Sequence, residues 1–284
     1  MSELLERLTA RLAREPALVT AYSGGVDSAL LAVVAQRVLG PRALAVTAVS
    51  ASLSARARRA ARDFAREHGL RHLEVCTDEL DRPEYVRNGS DRCAHCKTAL
   101  FDQLEPIGAL LGARIALAAN VDDLGDHRPG QRVAARRGAI MPLLEIGLTK
   151  ADVRALSREL GLRTQDRPAE ACLSSRIAYG DPVTADALRA VELAEGTLHE
   201  LGFTALRVRA HARGTVARVE VPAGDMARLL TVRDQVVARV RAAGFAFVAL
   251  DLAGLRSGSM NALLPIRSVN SASGRAMVRD EAAP

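Results

Sequence analysis

Short apolar runs and longer helical stretches alternate from residue 17 to about residue 160. "ALVTAY" reads as a short strand, and "SALLAVVAQRVLG" as a helix closed by Gly40 and Pro41. "ALAVTAV" is a second strand, "SARARRAARDFAREHG" an arginine-faced helix ending at Gly69, and "LRHLEVC" a third strand. A loop to about Arg92, a helix "KTALFDQLEPIGALLG" and a strand "RIALAAN" follow. Thr149 is placed to cap a further helix, "KADVRALSREL", with Asp152 at its third position and Gly161 beyond its end. This strand–helix alternation predicts an α/β fold, a parallel twisted sheet with helices on both faces.

The rhythm changes after Pro182. A helix from about Thr184 to Leu201 leads to two alternating strands, "ALRVRAH" and "TVARVEV", around Gly214. A helical stretch "GDMARLLTVRDQVVARVRAAG" and a strand "FAFVALDL" complete a small α+β unit. The expected organisation is 1–180 for the α/β domain, 181–267 for the smaller domain and 268–284 for a disordered tail. Between the two rhythms lies "GLRTQDRPAEACLSSRIAYGDP", a long segment with neither periodicity, carrying Cys172. Loops of that length without structure of their own are usually functional or disordered.

Hydrophobic residues make up 49% of the 284 and charged residues 25%, the balance of a soluble globular protein. No apolar run approaches the length of a membrane span. "MSELLERLTARLAREP" is amphipathic and lacks the apolar core of a signal peptide, so a cytoplasmic location is expected. The net charge of +6 favours anionic partners only weakly. With 3% aromatics and no Trp, stacking platforms for nucleic acid are poorly supplied. Arg replaces Lys almost throughout: the only lysines are Lys97, in "CAHCKTAL", and Lys150, in "GLTKADVR".

Three places carry candidate chemistry. "SGGVDS", residues 23–28, joins the first strand to the first following helix. Adjacent glycines let backbone approach a polyphosphate, and hydroxyls and helix amides supply donors. It is neither a Walker A loop nor a dinucleotide fingerprint. A bland turn in which Asp27 merely caps the helix is the competing reading. "AANVDDLGDHRPG" leaves a strand at its carboxyl end, where α/β folds place ligands, and offers Asn120, Asp122 and Asp123. These are also good turn formers. The cysteines are Cys76, Cys93, Cys96 and Cys172. Cys76, after an apolar strand, is expected to be a small buried hydrophobe. Cys93 and Cys96 have a spacing suited to metal, iron–sulfur or redox chemistry, and Cys172 would join them only through tertiary structure.

"SGGVDS" resembles the pyrophosphate loop of the ATP pyrophosphatase superfamily, which shares the adenine nucleotide alpha-hydrolase-like fold. That resemblance assigns Ser23, Gly24, Gly25, Asp27 and Ser28 to the phosphates of ATP, with Mg²⁺ shared between them. Asn120, Asp122 and Asp123 would border the nucleotide. Taken with "DRCAHCKTALFDQL", "NVDDLGDHRPG", "PLLEIGLTKADVRALSRELGL", "RPAEACLSSRIAYG" and "LRVRAH...ARVEV", the chain from about 15 to 265 resembles the LarE family. These are ATP-dependent sulfur transferases that make the nickel-pincer nucleotide cofactor.

The resemblance implies that ATP adenylates a carboxylate of a pyridinium dicarboxylate mononucleotide. Cys172 would then attack the acyl adenylate, and cleavage of its Cβ–S bond would leave a thiocarboxylate product and dehydroalanine. Arg167 and Arg176 are expected to sit near that thiol. Arg207, Arg209 and Arg176 match residues that hold the substrate phosphate, and Lys97 is an auxiliary site residue. Glu220 is a weaker candidate for a metal or interface site, and Gln165 stands where the family pattern has an aromatic residue. Some members bind a [4Fe–4S] cluster through three cysteines, here Cys93, Cys96 and Cys172. Cys172 is then either a consumed sulfur donor or a cluster ligand. The expected partners are a small-molecule nucleotide and further copies of the chain, with no membrane and no nucleic acid. A tRNA-thiolating enzyme of the same superfamily and a non-catalytic ATP-binding sensor are the alternatives.

Overall fold

The computed structural model describes residues 2–125, 129–167, 171–256 and 258–263. In chain order the first part consists of α1 (Glu3–Leu12), β1 (Leu18–Ala21), α2 (Val26–Leu39), β2 (Ala43–Val49), α3 (Ala55–Glu67) and β3 (His72–Cys76). Then come α4 (Pro83–Val86), α5 (Arg92–Leu111), β4 (Arg114–Ala116), α6 (Pro129–Arg136), α7 (Pro142–Glu145) and α8 (Lys150–Glu159). The strands form one parallel sheet in the order β3-β2-β1-β4. Leu18 pairs with Ala43 on one side and with Arg114 on the other.

Strand alternation sends successive side chains into two layers. Leu18, Ala45 and Ala116 pack with Leu8, Leu30, Phe64 and Leu156, from helices on one face. Val19, Val46 and Ile115 pack with Phe101, Leu104 and Ala134, from α5 and α6, on the other. Fully burying a side chain such as Phe101 or Leu104 contributes about 1.5–3 kcal/mol. The α/β architecture expected from the sequence is thus present. Thr149 caps α8 in a capping box, its hydroxyl accepting from Asp152 N while the Asp152 carboxylate accepts from Thr149 N.

The second part contains α9 (Ala185–Glu200), β5 (Arg207–His211), β6 (Val216–Glu220), α10 (Ala223–Thr231), α11 (Arg233–Ala242) and β7 (Phe247–Leu250). β5 and β6 are antiparallel, and β7 joins β6 in parallel after the α10–α11 crossover. Their core, built on Leu188, Val191, Val208 and Val219, also takes in Tyr85, Leu173 and Ile177 from earlier in the chain. The Cys172 segment is therefore bound into the packing of this smaller sheet. The expected tail, 268–284, lies outside the described residues.

Four details differ from the sequence reading. α5 starts at Arg92, five residues before the expected Lys97, so Cys93 and Cys96 lie in its opening turns. The stretch from 223 to 243 is two helices, because Val232 leaves helical geometry between them. α6 and α7 were not legible as periodic segments. Cys76 is exposed, not buried. It ends β3, an edge strand whose residues are only partly covered.

Candidate active site

The phosphate-loop motif lies at the carboxyl end of β1, beside the centre of the sheet. Gly24 has φ +74°, and a Cβ there would stand 2.9 Å from Ala61 Cβ, so side chains are excluded twice over. Ser28 Oγ donates to Gly25 O (3.1 Å) and accepts from Ser23 N (3.2 Å), which curls the loop over the start of α2. No side chain caps α2. Asp27 instead accepts hydrogen bonds from Asn120 Nδ2 (2.9 Å) and Lys150 Nζ, so the capping reading of Asp27 fails.

Asn120 belongs to the loop beyond β4, the strand next to β1. Its side-chain oxygen accepts from Asp122 N (3.0 Å) and its own N donates to Asp123 Oδ2 (3.1 Å). Asp122 Oδ2 accepts from Lys150 N, at the start of α8 (2.8 Å). Two motifs far apart in sequence thus meet at one sheet edge, and Lys150 joins both. A cleft of about 250 Å³ opens nearby, beyond the carboxyl end of β2, lined among others by Ser50, Leu53, Arg58 and Arg189. A larger, apolar one of about 380 Å³, between α1, α2 and Leu160, lies away from these motifs.

The long aperiodic segment that carries Cys172 is tied to the same edge. Arg167 NH1 donates to Gly24 O (3.0 Å) in the loop after β1. Leu173 N donates to Ser52 O (2.9 Å), in the turn that follows β2. Cys172 itself is exposed. Directly after it a 3-10 turn, Leu173–Arg176, is clamped from several sides. Tyr85 Oη and Ser174 Oγ share a hydrogen bond of 2.5 Å. Arg92 NH1 donates to Ser174 O (2.9 Å), and Arg209 NH1 to Ser175 O (2.9 Å).

Two of the three arginines matched to a substrate phosphate act within this clamp. Arg176, almost fully buried, pairs with Glu195 at 2.9 Å and donates to the carbonyls of Ala171 (2.5 Å) and Cys172 (3.2 Å). Arg209 is buried against Glu220, donating at 3.1 and 3.0 Å, and also reaches Ser259 Oγ (3.1 Å). Glu220 is fully buried and receives Arg218 as well, at 3.2 Å. Arg207 is half-buried and donates to Arg256 O (3.3 Å). Its removal from water, with the nearby Arg209 and Arg176, lowers its pKa against the attraction of Glu220 and Glu195.

The three suspected thiols share one neighbourhood. Cys93 and Cys96 lie on α5, and the charge of Cys172 opposes the ionisation of both. Burial pushes the Cys96 thiol up to about 12, with Cys172 and Glu79 adding repulsion. Cys93 reaches solvent, yet the protein around its sulfur raises its pKa as well. Burial lowers the Lys97 pKa, against the attraction of Cys96, Cys93 and Cys172. Among the described residues no three His, Cys, Asp or Glu stand close enough to share a single metal ion. A four-iron cluster makes a different demand, because each cysteine binds its own iron and the sulfurs stand further apart.

Sequence reasoning missed the buried polar residues beneath this site: Tyr85, Asn88, Arg92, Glu79 and Glu195. Glu79 is 2% exposed; its Oε1 accepts from Ser50 and Ser52, and its Oε2 has no hydrogen-bond partner among the described residues. Polar residues next to "RCAHC" were the available signal, but their partners lie far along the chain.

No family model matches the chain. It is 41% identical over 249 residues to an uncharacterized protein of Synechocystis sp., covering 86% of this chain and 91% of that one. It is 24% identical over 241 residues to an uncharacterized protein of Methanocaldococcus jannaschii, covering 84% and 91%. It is 35% identical over 246 residues to the pyridinium-3,5-bisthiocarboxylic acid mononucleotide synthase of Lactiplantibacillus plantarum, covering 86% of this chain and 88% of that enzyme. With that identity sustained over nearly the whole of both proteins, and with the fold the resemblance implied, this chain belongs to the LarE family.

Proposed function

We propose that this chain is an ATP-dependent sulfur transferase acting on a pyridinium dicarboxylate mononucleotide. The observation that carries the reading is the double tether of the Cys172 segment. Arg167 binds the phosphate-loop carbonyl of Gly24 and Leu173 binds the turn after β2, so an exposed thiol stands at the sheet edge that bears the phosphate motif. The family membership supplies the substrate class, since the Lactiplantibacillus relative is named for making the bisthiocarboxylic acid mononucleotide.

In this reading Ser23, Gly24, Gly25 and Ser28 cradle the ATP phosphates, and Asp27 holds Mg²⁺ against them. Asn120, Asp122 and Asp123 border the nucleotide, and Lys150 serves beside Asp27. A carboxylate oxygen of the substrate attacks the α-phosphorus, the bond to the β-phosphate oxygen breaks, and pyrophosphate leaves. The resulting acyl adenylate is open to sulfur at its acyl carbon, with AMP as leaving group. Arg207 is the arginine best placed to receive the substrate phosphate, while Arg209 and Arg176 steady the sulfur-bearing loop.

The electrostatic coupling of Cys172 to Cys93 and Cys96 favours a cluster route to sulfur. These three thiols would hold a [4Fe–4S] cluster, leaving one iron without a protein ligand, and when bound the cluster would supply sulfide. Lys97 offers positive charge beside such an anionic group. In the other route Cys172 Sγ bonds to the acyl carbon as AMP departs. Loss of the Cys172 Cα proton and cleavage of Cβ–S then give thiocarboxylate and dehydroalanine.

Substrate-dependent exchange of labelled pyrophosphate into ATP tests the adenylation step. Exchange with the pyridinium dicarboxylate mononucleotide, and none with tRNA, is expected. Exchange that requires tRNA, or ATP binding without exchange, would overturn the reading.

A further inference from the structure

Asn88 lies between α4 and α5, fully buried, with φ +57°. That left-handed conformation is one that Asn adopts more readily than most side chains. Its amide nitrogen donates to three carbonyls of one turn: Ile177 (3.4 Å), Ala178 (2.8 Å) and Asp181 (2.9 Å). Its main-chain oxygen accepts from Gly180 N (3.3 Å). Its side-chain oxygen accepts from Arg92, which is itself buried and donates to Ser174 O (2.9 Å). The Arg92 guanidinium also lies over the Tyr179 ring, 5.5 Å from its centroid.

These contacts join two parts of the thiol site that are remote in sequence. Arg92 opens α5 directly before Cys93, and Cys96 lies one turn further on. Ser174, Ile177, Ala178 and Asp181 follow Cys172 on its own segment. One amide and one guanidinium, both withdrawn from water, thus connect the helix carrying two thiols to the loop carrying the third. Among the described residues neither side chain hydrogen-bonds to the loop of residues 23–28.

We propose that Asn88, acting with Arg92, is a positioning residue that sets the placement of Cys172 relative to Cys93 and Cys96, and so governs sulfur delivery without governing adenylation. The kinetic half of this rests on the sulfur-transferase reading; the geometric half does not. An amide is required because one side chain must donate to carbonyls and accept from a guanidinium. Aspartate can pair with Arg92 but has nothing to offer the three carbonyls.

The test uses Asn88→Asp and Asn88→Gly, with Arg92→Lys as a second site, all in a Cys76→Ser background. Glycine adopts the backbone angle freely, so that variant removes the side chain without adding strain. The first readout is cross-linking by dibromobimane, with peptide mapping of the Cys172 links to Cys93 or Cys96 in iron-free protein. The parent protein should give the link, and each variant should lose most of it. The second readout compares pyrophosphate exchange with single-turnover formation of thiocarboxylate. Exchange should stay within about twofold of the parent while sulfur insertion falls roughly 10²-fold, the scale expected for misplacement of a reacting group.

A parent protein that gives no such link would overturn the proposal. So would variants that retain the link, or that lose exchange and sulfur insertion to the same extent, as general unfolding would cause. Should the parent show no exchange at all, the sulfur-transferase reading fails while the cross-link still decides the geometric claim.

Discussion

The Lys150 ammonium donates to Asp27 in the loop of residues 23–28, while the Lys150 backbone N–H donates to Asp122 at 2.8 Å. One of only two lysines in the chain therefore joins the two motifs that the sequence marked for nucleotide binding. With Mg²⁺ and ATP present, the proposed site would draw Asp27 toward the metal and leave the ammonium facing phosphate oxygen. Lys150→Met is expected to lower substrate-dependent pyrophosphate exchange on the order of 10²-fold, the usual loss for one preorganised electrostatic contact. Lys150→Arg should rescue little, because a guanidinium fork does not replace a compact point charge. Exchange rates at saturating ATP decide the matter.

Arg176 and Glu195 form a nearly buried pair beneath the Cys172 loop, at 2.9 Å. Removing one partner leaves the other charge without compensation. Glu195→Ala is expected to destabilise the protein by about 3–5 kcal/mol, read from urea denaturation. The double replacement of both residues by apolar ones of similar size should cost less than the single change. A Glu195→Ala protein as stable as the parent would show that the pair is solvated.

Glu74 gives the acid response a specific contributor. Hydrogen bonds from Arg58 and Arg62 hold its carboxylate at about 2, below the unfolded value of about 4.3. Its contribution is complete above the unfolded value and is lost as pH falls through that value toward 2. Thermal melting between pH 7 and pH 3 should show a shallower acid-side fall for Glu74→Gln than for the parent. Parallel curves would remove Glu74 from the account.

The thiols should label in a definite order in iron-free protein. A thiol at about 12, as at Cys96, is about one part in 10⁴ thiolate at pH 8. Iodoacetamide followed by peptide mapping is expected to find Cys76 and Cys172, both exposed, alkylated well before Cys96. Equal labelling of all four only after denaturation would complete the pattern. Early modification of Cys96, which is partly buried, would contradict the raised pKa of its thiol.

Much of this was legible in the sequence because local rules governed it. "ALAVTAV" became β2 in full, and the Thr149 capping box closed as its spacing required. Motif chemistry likewise marked Asp27 and Asn120 for one region, whereas the sequence noted Lys150 only for its rarity and the structure brought it to them. What the sequence did not show depends on tertiary partners. Cys76 follows apolar residues, yet it ends an edge strand, and nothing in a single sequence says which strand lies outermost. The resemblance matched Arg209 and Arg176 to a substrate phosphate; their contacts beneath Cys172 depend on Glu220 and Glu195, which periodicity does not pair with them. Asn88 reads as an ordinary turn residue before Gly89, and only the fold brings Ile177, Ala178 and Asp181 to it.

The measurement that bears most directly on the central claim is thiocarboxylate formed per chain, from the mononucleotide with ATP and Mg²⁺. Anaerobically reconstituted wild type and Cys172→Ala would be compared, with iron and acid-labile sulfide counted in each. The account expects pyrophosphate release from both proteins and sulfur product from the wild type alone. Four irons in the wild type, lost in the variant, with more than one product per chain when sulfide is present, would establish the cluster route. One product per chain without iron, ending in dehydroalanine at position 172, would establish the sacrificial route. Pyrophosphate release without sulfur product in the wild type, or undiminished product from Cys172→Ala, would contradict the account.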